Sequence, residues 1–396
     1  MSMSRVELCL PSGAIMAHLE SDPMKPAFDV CVRGAGVVGQ TMALLLAGLR
    51  LRVALVQGNT PSAPDVRAFA LNAASRNLLQ ELRCWPEPDH ATAVQQMRVW
   101  GDGGAQVHLE APNPQGLTWI VDTPILLAQL AQAIQYQALV SVVPSNESAS
   151  LTVVCEGRHS ASREQAGAGH EVLPYDQHAL AARVDCALPH QGQAFQWFQH
   201  DQGELGILAL LPMGGSMGQQ AALVWSLSPA RAQQLKAMPK AEFEQALHHA
   251  SHDQLGAMRL ASERHTWPLQ MARALQWCGT YSDGQAWVLA GDAAHSVHPL
   301  AGLGLNLGLA DAQALRHVLH TRQGVNHWRG LNDRRLLRRY ERERKAGMWP
   351  TWVACDGLQR LFAHPHALVK DLRQWGMKNF DAIPPLKQWV IQQAMQ

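Results

Sequence analysis

The chain has 396 residues, enough to bury one large core or two closely joined ones. Lys and Arg total 33 against 32 Asp and Glu, so there is no basic footprint for nucleic acid, and a 47% hydrophobic content excludes a disordered chain. Its seven cysteines are scattered without a CxxC pair, which points to reduced thiols in the cytosol and away from a disulfide frame or zinc site.

Residues 1–27 read as an N-terminal extension without a signal-peptide pattern. Phe28-Asp29-Val30-Cys31-Val32-Arg33 then reads as a short buried strand, followed by Gly34-Ala35-Gly36-Val37-Val38-Gly39 and a helix over 40–49. In such a unit the first glycine permits a tight turn, the second lets backbone approach a pyrophosphate, and the third lets the helix pack on the strand. This apolar window contains Arg33 and three motif glycines, so it is a nucleotide-binding unit and not a membrane span. The next strand, 51–57, ends on Gln57, where a carboxylate commonly accepts the ribose hydroxyls. An amide oxygen still accepts there, more weakly than an ionised group.

Downstream, 123–136 is helix-like, and 138–155 has room for about two short strands at ~3.3 Å per residue. Short strands with turn residues between them follow at 179–184, 194–198, 205–212 and 221–226, the pattern of one antiparallel sheet. Phe195, Trp197, Phe198 and Trp225 within it read either as the lining of an apolar pocket or as ordinary core. Helical stretches are expected near 229–235 and 241–250. Residues 328–394 read as mostly helical, broken at Pro350, Pro365 and Pro384-Pro385. The basic run 334–345 reads as a solvated helix face with internal pairing, Glu341 standing four residues before Lys345.

The richest stretch is 288–311. An apolar run ends in Gly291-Asp292, and a loop with Pro299, Gly302 and Gly304 opens into an apolar-periodic helix. A carboxylate at a bend suits hydrogen bonding to a polyol, and a helix N-terminus offers free N–H groups and a positive dipole end to an anion. A nucleotide cofactor with a sugar-like chain and a ring that becomes anionic satisfies both, and reduced flavin is such a ring. His295 and His298 stand three apart without a carboxylate partner in the loop, so no metal site is expected.

Together these residues resemble the single-component flavin aromatic hydroxylases, and in particular their ubiquinone-biosynthesis branch. The resemblance runs through nearly everything from residue 28 onward, including Asp65-Val66-Arg67-Ala68-Phe69, Tyr175-Asp176-Gln177-His178, Trp267-Pro268-Leu269 and Tyr340-Glu341-Arg342. It implies an α/β fold: a GxGxxG Rossmann-like FAD domain in two pieces (28–170 and 270–325), an antiparallel substrate-side sheet (171–269) and a C-terminal helical region (326–396). FAD is the implied cofactor, with NAD(P)H as a transient co-substrate and O₂ as the oxidant for hydroxylating an aromatic, prenylated substrate. The implied cofactor residues are Gly34, Gly36, Val37, Val38, Gly39, Gln57, Arg67, Glu156, Gly157, Gly291, Asp292, Pro299, Gly302, Leu303, Gly304, Leu305 and Asn306. The flavin carries the chemistry, so no single catalytic residue is named. The implied location is cytoplasmic, with a peripheral contact to a membrane or an assembly.

Three departures from the family pattern stand out besides Gln57. Glu156 replaces an aspartate in the Glu156-Gly157 motif, Leu303 stands where glutamine is usual, and Pro124 where arginine is common. With the short 123–155 segment, they keep two other readings open: a hydroxylase of a small soluble phenol, or a flavin-fold subunit without oxygenase activity.

Overall fold

The computed structural model describes residues 27–58, 65–101, 104–201, 204–215, 217–297, 302–323 and 329–363. Its helices are α1 (Val37–Gly48), α2 (Ala73–Glu81), α3 (Thr123–Gln135), α4 (Ala161–Gln165), α5 (Pro229–Ala237), α6 (Lys240–Ala250), α7 (Leu303–His320) and α8 (Arg334–Ala363). The N-terminal extension lies almost wholly outside the described residues, as do Pro299, His298, Pro365 and Pro384-Pro385.

Two sheets organise the chain. In the first, the strands run Cys278–Thr280, Ala286–Leu289, Ala149–Val154, Phe28–Arg33, Val53–Val56 and Val140–Val143, all parallel from Ala286–Leu289 onward. The segment 138–155 thus supplies two short strands, as many as its length has room for. The central strand is apolar because it is covered: Val30, Cys31 and Val32 are fully buried. Met42, Leu45 and Leu46 of α1 join Leu309, Ala312 and Leu315 of α7 in the core against this sheet. Removing such side chains from water contributes roughly 1.5–3 kcal/mol each.

The second sheet has nine strands, with His170–Cys186, Gln220–Leu227, Glu204–Pro212 and Gln193–Asp201 at its centre. The strand expected at 179–184 is far longer, because its first half pairs with His265–Ala274 through a register shift between Pro174 and Gln177. At that shift Asp176 has a φ of 51°. Two further strands, Gln96–Trp100 and Gln106–Glu110, join the same sheet from a part of the sequence assigned above to the FAD domain. Their pairing partner is about a hundred residues away, which local pattern does not register. Ala68–Leu71, Thr118–Asp122 and Ala91–Val94 form a third sheet between the two units.

Phe195, Trp197 and Trp225 are core residues. They pack with Leu235, Phe243 and Leu247 under α5 and α6, and Trp100 stacks on Trp197 at 4.9 Å. Only Phe198 of the four aromatics alternates to the opposite face, where it meets Val99, Leu205 and Ile207.

The C-terminal region also differs from expectation. α8 continues through Pro350, whose ring removes one backbone bond on the solvent side while Met348 is buried and Trp352 packs against the core. Nor is the 334–345 run a solvated face throughout. Tyr340 and Glu341 are buried, with Tyr340 Oη donating to the Leu289 carbonyl and Glu341 accepting the Trp277 N–H. The expected pairing within the helix is present in Lys345–Glu341 and Arg339–Glu343, both at 2.7 Å.

Candidate active site

The three glycines of the first motif answer to different neighbours. A Cβ on Gly34 would stand 2.5 Å from the Cys155 carbonyl oxygen, and one on Gly39 would stand 1.8 Å from that of Gly34. Protein packing alone therefore demands glycine at both positions. Gly36 is otherwise: nothing lies within 4 Å of its Cβ position, and its φ of −73° suits any residue. Its glycine answers to no neighbour among the described residues, which is what close backbone approach by a ligand predicts. Gly36 also caps α1, whose first turn carries no acidic side chain to compete for the free N–H groups.

The second motif lies beside the first. Gly291 turns with a φ of 62°, and Val38 packs against both it and Gly308, where a Cβ would come within 2.6 Å of Val38 Cγ2. Two distant pieces of sequence are thereby locked at van der Waals distance, and the Val38 side chain serves packing while its N–H stays at the helix start. Gly302, in the left-handed region at φ 64°, caps α7, and its Cβ position touches Ala70. Gly304 in the first turn of α7 has open space at its Cβ position. The Asn306 side chain is engaged internally: Nδ2 donates to the Ala70 carbonyl, and Oδ1 accepts from Asn72 N–H and Ser75 Oγ. Only its backbone and those of Gly302, Leu303, Gly304 and Leu305 remain to serve an anion.

Asp292 is reached by water yet closely surrounded by protein, the situation of a carboxylate in a concavity. Burial pushes its pKa up, and His295, Arg158 and Arg67 partly oppose that shift. Arg67 is held by Asp65 at 2.6 Å, and Arg183 of the second sheet donates to its carbonyl at 2.8 Å. Arg67 therefore stands at the seam between the two sheets. Gln57 follows its strand with an exposed side chain and a backbone N–H bonded to Val143.

The Glu156 carboxylate turns inward. It accepts Ser160 Oγ at 2.8 Å, Ser162 N–H at 3.0 Å and Ser162 Oγ at 2.6 Å, so it ties down the start of α4. Gly157 beside it has a φ of 79°, a conformation glycine favours. Sequence reasoning missed the residues that support this corner. Arg33 donates to Ser162 Oγ at 2.9 Å, and buried Arg163 donates to the Ala293 and Arg158 carbonyls. The presence of arginine in an apolar strand end was the available signal for Arg33. Asp311, His295 and Arg344 were likewise missed as a group, because they are spread over three elements.

A flavin dinucleotide suits this donor set. Two helix N-termini without acidic side chains in their first turns could receive its anionic parts, two open glycine positions would admit it closely, and one carboxylate could accept from a polyol. A separate cavity lies between the Cys278–Thr280 strand and the start of α8, lined by Cys278, Thr280, Arg334 and Arg338.

The family described as FAD binding domain matches residues 137–352. Ubiquinone hydroxylase UbiL of Rhodospirillum rubrum is 30% identical, over 93% of this chain and 89% of its own. The 3-demethoxyubiquinol 3-hydroxylase of Escherichia coli is 28% identical over 93% and 98% of the two chains. Among solved structures, pqsL of Pseudomonas aeruginosa, a probable FAD-dependent monooxygenase, superposes with a TM-score of 0.67 at 20% identity, covering 89% of this chain and 99% of that one. This likeness shows a shared fold. From the matched domain and the full-length relatives, the chain belongs to the FAD-binding-domain family and is an FAD-dependent monooxygenase.

Proposed function

We propose that this enzyme hydroxylates the ring of a prenylated phenol in ubiquinone biosynthesis, using FAD, NAD(P)H and O₂. FAD, when bound, would supply the chemistry by which two electrons from NAD(P)H let one atom of O₂ enter an electron-rich ring while the other leaves as water. The observation that carries the substrate reading is a strip at the centre of the second sheet. Ala181, Val224 and Ala209 lie opposite one another across three strands, on the face that carries Arg183 and points toward Arg67. Val224 and Ala209 stay partly accessible despite their central place, and Trp267 beside Ala179 does too. Small apolar residues at a sheet centre leave room for a ring and a hydrocarbon chain, and exclude water from them. The names of the relatives, a ubiquinone hydroxylase and a demethoxyubiquinol hydroxylase, support the same reading.

Within that site, Asp292 accepts hydrogen bonds from the ribityl hydroxyls, and the N–H groups at the start of α7 hold negative charge on the reduced ring. The N-terminus of α1 with Gly36 takes the pyrophosphate. A substrate dissolved in a bilayer calls for a peripheral contact only; among the described residues no helix is long and apolar enough to cross a membrane.

Stopped-flow reduction tests the proposal. NADH or NADPH should bleach the bound flavin, prenylated phenols should accelerate the bleaching, and mass spectrometry should find one added oxygen in the product. Acceleration by small soluble phenols alone would move the substrate assignment to that class. A flavin-loaded protein that neither nucleotide reduces would support the subunit reading instead.

A further inference from the structure

Behind the Gly291–Asp292 turn lies a buried charged group that no part of the proposed chemistry uses. Asp311 of α7 is fully buried. Its Oδ2 accepts the Gly291 N–H at 2.8 Å and lies 2.6 Å from His295 Nε2, and its Oδ1 accepts Arg344 Nε at 2.6 Å. Arg344 also donates to the Leu307 carbonyl, and the His295 ring stacks on Trp277 at 5.0 Å. One carboxylate thus joins the turn, the flavin-side helix and the C-terminal helix.

We propose that Arg344, Asp311 and His295 form a positioning network, in which the guanidinium on α8 supplies the charge that lets Asp311 hold the Gly291–Asp292 turn in its flavin-binding shape. The inference rests on the reading of that turn as the ribityl site. A buried carboxylate without a countercharge is strongly disfavoured. Arg344 carries the guanidinium bonded to Asp311, and among the described residues no other Lys or Arg is bonded to that carboxylate.

With the guanidinium replaced by a neutral amide, Asp311 keeps a buried charge that the Gly291 N–H and the His295 ring offset only in part, so the turn it holds at 2.8 Å loses its flavin-binding shape.

The experiment titrates flavin-stripped full-length protein with FAD, following fluorescence at a single pH. Arg344→Gln keeps hydrogen-bond donors and removes the charge, so its dissociation constant should rise by about tenfold or more over wild type. Arg344→Lys keeps the charge and should bind FAD close to wild type. Tyr340→Phe, which loosens α8 at the Leu289 carbonyl, should lower the melting temperature while leaving FAD affinity near wild type. If Arg344→Gln does not fold, Arg344→Lys carries the test, because loss of affinity there would contradict the role of charge. Unchanged FAD affinity in Arg344→Gln, or an equal loss in Tyr340→Phe, with Asp292→Ala still weakening FAD, would overturn the network and leave the flavin reading standing. Wild-type protein that binds no FAD would instead remove the reading beneath it.

Discussion

Ser162 donates to the Glu156 carboxylate at 2.6 Å through its hydroxyl and at 3.0 Å through its backbone N–H. The longer side chain that stands in place of the family's aspartate has folded back to close the first turn of α4. Burial of Arg33 against the same Ser162 completes the corner. A carboxylate held this way serves the scaffold first, so Glu156→Ala should destabilise the apo protein by about 1–3 kcal/mol, the range for stranding buried donors. A melting-temperature drop that Glu156→Asp also shows would mark the extra methylene as necessary for reaching Ser162. An unchanged melting temperature in Glu156→Ala would remove that structural role.

The two glycines at positions 36 and 39 should separate binding from folding. Gly36→Ala meets no atom of the described residues, and the stiffer unfolded chain offsets the poorer N-cap, so apo stability should change by less than about 1 kcal/mol. FAD affinity should nevertheless fall, because the methyl group enters the approach to the backbone. Gly39→Ala drives a methyl into the Gly34 carbonyl and should cost about 1–3 kcal/mol of stability even without cofactor. Paired thermal melts and FAD titrations decide it, and equal loss of stability in both variants would contradict the assignment.

For Asp292 the two readouts should move in opposite directions. Burial raises its pKa in the folded protein, so the fold binds that proton more tightly than the unfolded chain does. Stability therefore declines as pH rises from the unfolded pKa through the raised one, and the ionised carboxylate is a liability to the apo protein at neutral pH. Asp292→Asn should raise the apo melting temperature at pH 7 while weakening FAD by about 1.5–3 kcal/mol, the value of a charge-assisted hydrogen bond. Unchanged FAD affinity would show that Asp292 has been given the wrong role.

The two faces of the nine-stranded sheet should respond differently. Trp197→Ala removes a ring that is 1% exposed and stacked on Trp100, and should cost about 3–5 kcal/mol of stability. Val224→Phe fills the partly accessible strip on the other face. That change should leave FAD affinity and melting temperature near wild type while suppressing substrate-accelerated flavin reduction. Full acceleration in Val224→Phe would place the substrate elsewhere.

Much of the site was already legible along the chain. Gly34-Ala35-Gly36-Val37-Val38-Gly39 after an apolar strand, and Gly291-Asp292 before a glycine-opened helix, are local patterns set by turn geometry and free helix-end N–H groups. They identify the two loops, the two flanking helices and the parallel unit without reference to anything distant. Only the tertiary structure decided what those patterns leave open. It set Val38 against Gly291 and Gly308, turned Glu156 into α4, moved Gln96–Trp100 and Gln106–Glu110 into the second sheet, and chose which face Trp197 occupies. It also joined Arg344, Asp311 and His295, which lie on separate elements. The reason is physical: periodicity and turn chemistry act over a few residues, whereas pairing, burial and charge compensation depend on which distant surfaces meet.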